Sequence, residues 1–133
     1  MGAYAASQLV KKMTNNSISV HGSKILIMGL SFKENCPDLR NTLVVNLISE
    51  LESYMCKVDV YDPWVSEEEA HELFDIKLIR KLEKKSYDSI ILAVAHNEFL
   101  SLGSDFIKQL GKSNSVFYDL KGVFSSDSSD LRL

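Results

Sequence analysis

Lys24-Ile25-Leu26-Ile27-Met28 runs directly into Gly29-Leu30-Ser31-Phe32-Lys33-Glu34-Asn35-Cys36-Pro37-Asp38-Leu39-Arg40-Asn41-Thr42, and the fold follows from this join. The first run is short, apolar and β-branched, the pattern of a buried strand. Val44, Leu47, Ile48, Leu51 and Met55 follow the second stretch at helical spacing, with Asn46, Ser49, Glu50 and Ser53 on the opposite side. Thr42 suits an N-cap, as does Asn41. The stretch between is therefore a strand-to-helix loop at the carboxyl end of a strand, where open α/β sheets place ligands. It carries Lys33 and Arg40, one a point charge and one a fork suited to phosphate. The dipole of the helix that follows adds positive potential. The Gly-x-Gly-x-x-Gly spacing of a dinucleotide-binding turn is missing. The loop reads as one that holds an anion with side chains. The other reading of the same residues is a local network in which Glu34 and Asp38 neutralise the two cations.

On the amino-terminal side, residues 1–13 read as a helix with Tyr4, Ala5, Leu9, Val10 and Met13 on one face, ending at Asn15-Asn16-Ser17. Residues 57–63 alternate as a second strand stopped by Pro63. Ser66 is placed to cap a short acidic helix, and Ile76-Lys77-Leu78 suits an edge piece. Residues 79–85 read as one or two basic helical turns. Ser89-Ile90-Ile91-Leu92-Ala93-Val94-Ala95 is apolar on both faces, as a central parallel strand must be. Helical stretches start at Asn97 and Phe106, with Gly111 as a C-terminal stop. Residues 115–120 form the last strand, and the Ser/Asp-rich tail from Ser125 is expected to fray. Strands alternating with helices predict an α/β, Rossmann-like three-layer sandwich with a mostly parallel sheet covered on both faces. An opening helix with no strand before it is expected to be the end of an inter-domain helix.

The 133 residues suit one domain, and 45% hydrophobic residues suffice for a core. A net charge of −3 argues against a nucleic-acid partner. No apolar run nears the ~20 residues of a membrane helix, so no membrane association is expected. Ala6 stands where a myristoylation signal needs Ser or Thr. With no basic n-region leading an apolar stretch, a cytoplasmic domain is expected. His21, His71 and His96 lack metal-ligand spacing, and no metal is expected.

Other chemistry-bearing residues have structural readings beside functional ones. Lys121 follows the last strand, so it shares the carboxyl edge with Lys33 and Arg40; otherwise it is a surface lysine in a turn. His96 lies on the same edge and reads as capping or packing, since no neighbouring carboxylate is placed to make it an acid–base group. Cys36 has no adjacent histidine to activate it and is not read as a nucleophile. Cys56 reads as packing. Trp64 could stack on a nucleobase, or serve burial in the core or an interface.

Gly29, Phe32, Lys33, Asp38, Arg40 and Thr42 together resemble the Gly-x-x-Phe-Lys…Asp-x-Arg-x-Ser/Thr pattern of the UDP-glucose/GDP-mannose dehydrogenase family, in its C-terminal UDP-binding domain. Val60-Tyr61-Asp62-Pro63, the stretch Ala93 to Phe99 and Tyr118-Asp119-Leu120-Lys121 continue the resemblance over nearly the whole chain. The wording Glu34-Asn35-Cys36-Pro37-Asp38 is most similar to the branch that oxidises UDP-N-acetylhexosamines such as UDP-N-acetylmannosamine. The resemblance implies a division into the end of a connecting helix, 1–17, and a UDP-sugar-binding domain, 18–133. It implies an NAD-dependent enzyme that takes a sugar C6 alcohol to a carboxylate in two oxidations through a thiohemiacetal, for polysaccharide precursors. The NAD-binding domain and the catalytic cysteine would lie outside this chain, leaving no catalytic residue within it. Phe32 and Lys33 would contact the nucleotide sugar, Lys121 would face the UDP portion where some relatives have arginine, and Arg40 would reach NAD. A homodimer is implied for the full-length enzyme. The alternative class is a free-standing nucleotide-binding or receiver-like regulatory module, for which Asp62 and Lys121 speak and the absence of an acidic pair after the first strand speaks against.

Overall fold

A computed structural model describes residues 2–133; Met1, included in the expected first helix, lies outside the described residues. The elements run α1 (Gly2–Asn15), β1 (Lys24–Met28), α2 (Val44–Ser53), β2 (Lys57–Tyr61), α3 (Glu67–Phe74), β3 (Tyr87–Leu92), α4 (Asn97–Leu102), α5 (Ser104–Gln109), β4 (Gly111–Asp119), a 3₁₀ turn at Ser126–Ser128 and β5 (Leu131–Arg132). The five strands lie in the order β2-β1-β3-β4-β5, and every pairing is parallel.

Alternation along the strands sends successive side chains to opposite faces. Ile25 and Ile27 of β1 join Ile91, Val116 and Tyr118 in one core, against Ala5, Leu9 and Met13 of α1 and Leu47, Ile48 and Leu51 of α2. Leu26 and Met28 join Ile90, Leu92 and Phe117 in the other, against Phe99 of α4 and Ile107 of α5. The sheet is thus covered on both faces, which is why Ile25–Met28 and Ile90–Leu92 show no polar alternation. Each buried aliphatic side chain contributes roughly 1.5–3 kcal/mol. Small residues bring α1 close to α2: a Cβ on Gly2 would lie 2.8 Å from the Leu47 backbone nitrogen. Tyr4, expected on the buried face of α1, is instead exposed.

Three expectations fail for tertiary reasons. Residues 79–85 are not helical: Ile79 N donates to Val60 O, continuing an edge bridge between Val60 and Leu78, and Arg80 pairs with Glu67. Gly111 is the first residue of β4 rather than a left-handed helix stop. The tail is not frayed. Asp130 N donates to Phe117 O, Asp130 Oδ2 accepts from Phe117 N, and β5 pairs with the end of β4. Asp130→Ala removes one side of this double clamp. Faster amide hydrogen exchange at Leu131 and Arg132 is the expected result, with core amides unchanged.

From β1 the chain crosses outward to β2, then returns past β1 to β3. The connections diverge between β1 and β3, and the loop 29–42 stands at that switch point, where such sheets bind ligands.

Candidate ligand site at the carboxyl edge of the sheet

Four loops meet at this edge: 29–43 after β1, 62–66 after β2, 93–96 after β3 and 120–125 after β4. Gly29 makes the first approach possible. Its φ of +102° is one that side-chain-bearing residues avoid, and Val94 packs directly over it.

The centre of the edge is a polar knot with no solvent exposure at Ser31, Asp62 or His96. Asp62 Oδ2 accepts from Leu30 N (2.7 Å), Ser31 N (3.0 Å) and His96 Nε2 (3.0 Å), while Oδ1 accepts from Trp64 N (2.8 Å). His96 Nδ1 accepts from Asn35 N at 2.9 Å. The imidazole is therefore neutral, with its proton on Nε2. Ser31 Oγ donates to Lys33 O and lies 3.2 Å from His96 Nε2. Burial alone would raise the Asp62 carboxyl; the bonds from His96, Leu30, Trp64 and Ser31 outweigh it and hold the group below its ordinary value.

His96 thus packs, as expected, against Trp64 (ring centroids 5.9 Å apart) and Phe99 (5.4 Å). It does not cap α4 with its side chain; Asn35 Oδ1 does so by accepting from Asn97 N at 2.9 Å. The carboxylate partner that local sequence did not place is Asp62, brought in by sheet order. Trp64 is partly exposed, its indole N–H donating to Glu98.

The sequence-predicted binding residues divide. Phe32 and Lys121 line one small cavity of about 90 Å³, floored by Ala93, Val94, Leu47 and Ala5. Phe32 is half exposed. Lys33 and Arg40 sit on the same loop outside the cavity lining. Arg40 forms a fork with Asp38, Nε to Oδ1 at 3.0 Å and Nη2 to Oδ2 at 3.2 Å, and the Asp38 carboxyl is lowered by that bond. The neutralising network is realised for Arg40. Among the described residues no ion pair engages Lys33 or Lys121. Asp119, at the end of β4, is fully buried; its Oδ2 accepts from Phe124 N across the turn that carries Lys121, and its Oδ1 has no donor among the described residues.

Thr42 Oγ1 donates to Leu30 O and accepts from Val44 N, tying the loop's end to its start beside the helix it precedes. Cys36 is half-buried, and Cys56 is buried with its thiol raised by burial. Among the described residues no group of three or more His, Cys, Asp or Glu could hold a metal ion. A wider groove of about 780 Å³ lies along the β2 side, but it takes in Lys24 and Tyr87, the first residues of β1 and β3, and not the switch-point loops.

A cavity of about 90 Å³ is far below the ~300 Å³ at which ligand pockets begin, so it does not by itself enclose a ligand. Residues 26–126 match the model of the UDP-glucose/GDP-mannose dehydrogenase family, UDP binding domain. The chain belongs to this family. The stretch matched to the UDP-binding domain contains both the loop 29–42 and Lys121. The chain is 53% identical over 133 residues to a UDP-N-acetyl-D-glucosamine 6-dehydrogenase of Pseudomonas aeruginosa, covering all of this chain and 32% of that protein. It is 46% identical to the enzyme of the same description from Salmonella typhi, again over its whole length and over 31% of the relative. The chain therefore spans about a third of the length of these curated relatives. The fold also matches an NDP-N-acetyl-D-galactosaminuronic acid dehydrogenase from Methanosarcina mazei Go1, with a TM-score of 0.80 at 24% identity over 95% of this chain and 26% of that one.

Proposed function

We propose that this chain is the nucleotide-sugar-binding part of an NAD-dependent UDP-sugar 6-dehydrogenase acting on a UDP-N-acetylhexosamine, with α1 as the end of the helix from its central domain. The observation that carries this is that Phe32 and Lys121 line one cavity at the carboxyl edge, with Lys33 next to Phe32 in the chain and in no ion pair among the described residues, within the matched UDP-binding domain. A nucleoside diphosphate has an apolar face for the Phe32 ring and charge for two ammonium groups. Asp38 engages Arg40 Nε and Nη2, and among the described residues Nη1 has no partner, so the exposed guanidinium would have a donor for a second anion. NAD, bound mainly outside this chain, would accept a hydride in each oxidation. On this chain only Arg40 is assigned to it, which fits a loop without a dinucleotide turn. The full-length enzyme is proposed to be a cytoplasmic homodimer; among the described residues no helix is long and apolar enough to cross a membrane.

Support comes also from what Asp62 cannot do. A receiver module phosphorylates an accessible aspartate, whereas Asp62 is fully buried and both its oxygens are occupied.

Calorimetric titration with UDP is expected to show weak binding by the wild type. Lys33→Ala should weaken it about tenfold, or ~1.4 kcal/mol, the loss of one charge-assisted contact. Equal affinities would remove Lys33 from the site. In the longer reading frame, a Gly-x-Gly-x-x-Gly domain and a cysteine-bearing central domain upstream of Met1 are expected; an in-frame stop there would overturn the enzyme reading.

A further inference from the structure

We propose that His96 and Asp62 are positioning residues for nucleotide binding, a buried clamp that holds Phe32 and Lys33 in their binding conformation. The proposal rests on the UDP-binding reading above and adds to it the residues that set the loop's shape.

The loop 29–42 is closed at its base by Thr42, but no bond within it fixes Phe32 and Lys33 against the sheet. Its internal bonds are Phe32 N to Asp38 O, Ser31 Oγ to Lys33 O, Thr42 Oγ1 to Leu30 O, and the Asp38–Arg40 pair. Its attachment to the sheet comes from outside. Asp62 takes the amides of Leu30 and Ser31, immediately before Phe32. His96 takes the amide of Asn35, two residues after Lys33. Phe32 and Lys33 are therefore bracketed by two anchors, and the anchors are themselves joined by the His96 Nε2–Asp62 Oδ2 bond of 3.0 Å. Asn35 adopts a φ of +55°, a left-handed conformation held by its amide bond to His96 and its side-chain bond to Asn97 N. An apolar side chain at position 96 would fill the same volume and make none of these bonds.

Ser31, His96 and Asp62 have the composition of a nucleophilic triad but not its geometry. In a triad the serine and the carboxylate use different ring nitrogens. Here both face Nε2, while Nδ1 is occupied by a backbone amide, and all three residues are sealed from solvent. The knot shapes the loop; it does not react.

The two ring nitrogens can be tested separately. Asn at position 96 places an amide oxygen near the site of Nδ1 and preserves the acceptor for Asn35 N. Gln places an amide nitrogen near the site of Nε2 and preserves the donor to Asp62. Calorimetric UDP titration of the 133-residue chain should show His96→Ala weakened about tenfold or more. His96→Asn is expected to recover most of the affinity and His96→Gln little of it. Amide exchange at Asn35 should follow the same order: fast in His96→Ala and His96→Gln, protected in the wild type and His96→Asn. A folded His96→Ala that binds UDP like the wild type overturns the clamp. So does an affinity that follows global stability while Asn35 protection is the same in all variants. Where His96→Ala does not fold, the Asn-against-Gln comparison decides. If the wild type itself fails to bind UDP, the nucleotide reading falls instead, and Asn35 exchange still decides whether the clamp exists.

Discussion

Asp62→Ala is expected to lower the stability of this chain by about 3–5 kcal/mol, read as a fall in the urea unfolding midpoint at neutral pH. The substitution leaves four donors without an acceptor: the amides of Leu30, Ser31 and Trp64, and His96 Nε2–H. The site has no solvent exposure, so the four donors are stranded in the interior rather than returned to bulk water. Asp62→Asn should cost less, because one amide oxygen still accepts. The same carboxylate makes stability depend on acid in a defined direction. Its folded pKa lies below the ordinary value, so the unfolded chain binds the proton more readily. The stabilisation is complete above the unfolded carboxylate pKa of about 3.9 and is lost as pH falls through the lower folded value. Urea midpoints taken at about pH 7 and about pH 3 should fall more steeply for the wild type than for Asp62→Ala. Parallel acid limbs in the two proteins would show that Asp62 is not held ionised by this knot.

Gly29→Ala is expected to cost about 3 kcal/mol or more, from two independent sources. The φ of +102° lies where an L-residue is strained. The added Cβ would also stand 2.5 Å from Val94 Cβ and 2.8 Å from Val94 N, and the backbone nitrogen has no rotamer with which to retreat. Val94 is itself fixed, its amide and that of Ala93 both donating to Met28 O. Gly22→Ala is the matched control. It too has a positive φ, +79°, but no atom lies within 4 Å of where its Cβ would stand, so only the backbone cost of about 1 kcal/mol applies. Thermal unfolding should place Gly29→Ala on the order of 10 °C below the wild type and well below Gly22→Ala. A Gly29→Ala no worse than Gly22→Ala would mean that the β1 and β3 loops do not pack this closely.

The alternating elements and the covering of the sheet are legible in the sequence because they depend on local pattern. Ile25, Leu26 and Ile27 cannot be followed by a water-exposed face, and the run 89–95 has the same character. The β3 boundary is earlier than that run implies, since Tyr87 and Asp88 pair in place: the Tyr87 hydroxyl donates to Asp59, and Asp88 accepts from Lys24 N. The Ser66 cap is legible from residue type, and Glu69 N does donate to its hydroxyl. Residues 79–85 carry a charge pattern compatible with a helix, whereas the edge pairing to Val60 and the Arg80–Glu67 contact, both long-range, keep their start out of a helix, and the rest runs into a turn at Lys84-Lys85. The tail departs from its local pattern for the same reason. Its composition suits disorder, and Asp130 orders it by gripping the Phe117 backbone.

Residue type and the periods of two and 3.6 are local properties. They suffice to establish that a cation-bearing loop follows a buried strand, that Lys121 shares its edge, and that no dinucleotide turn is present. They do not establish that β1 lies between β2 and β3, and so that Asp62 and His96 meet behind the loop; that required the folded chain. So did the turn of Arg40 towards Asp38, and the sharing by Phe32 and Lys121 of a cavity which Lys33 does not line. Strand order is set by the summed burial of two cores and by hydrogen bonds between residues more than thirty positions apart, which no local pattern encodes.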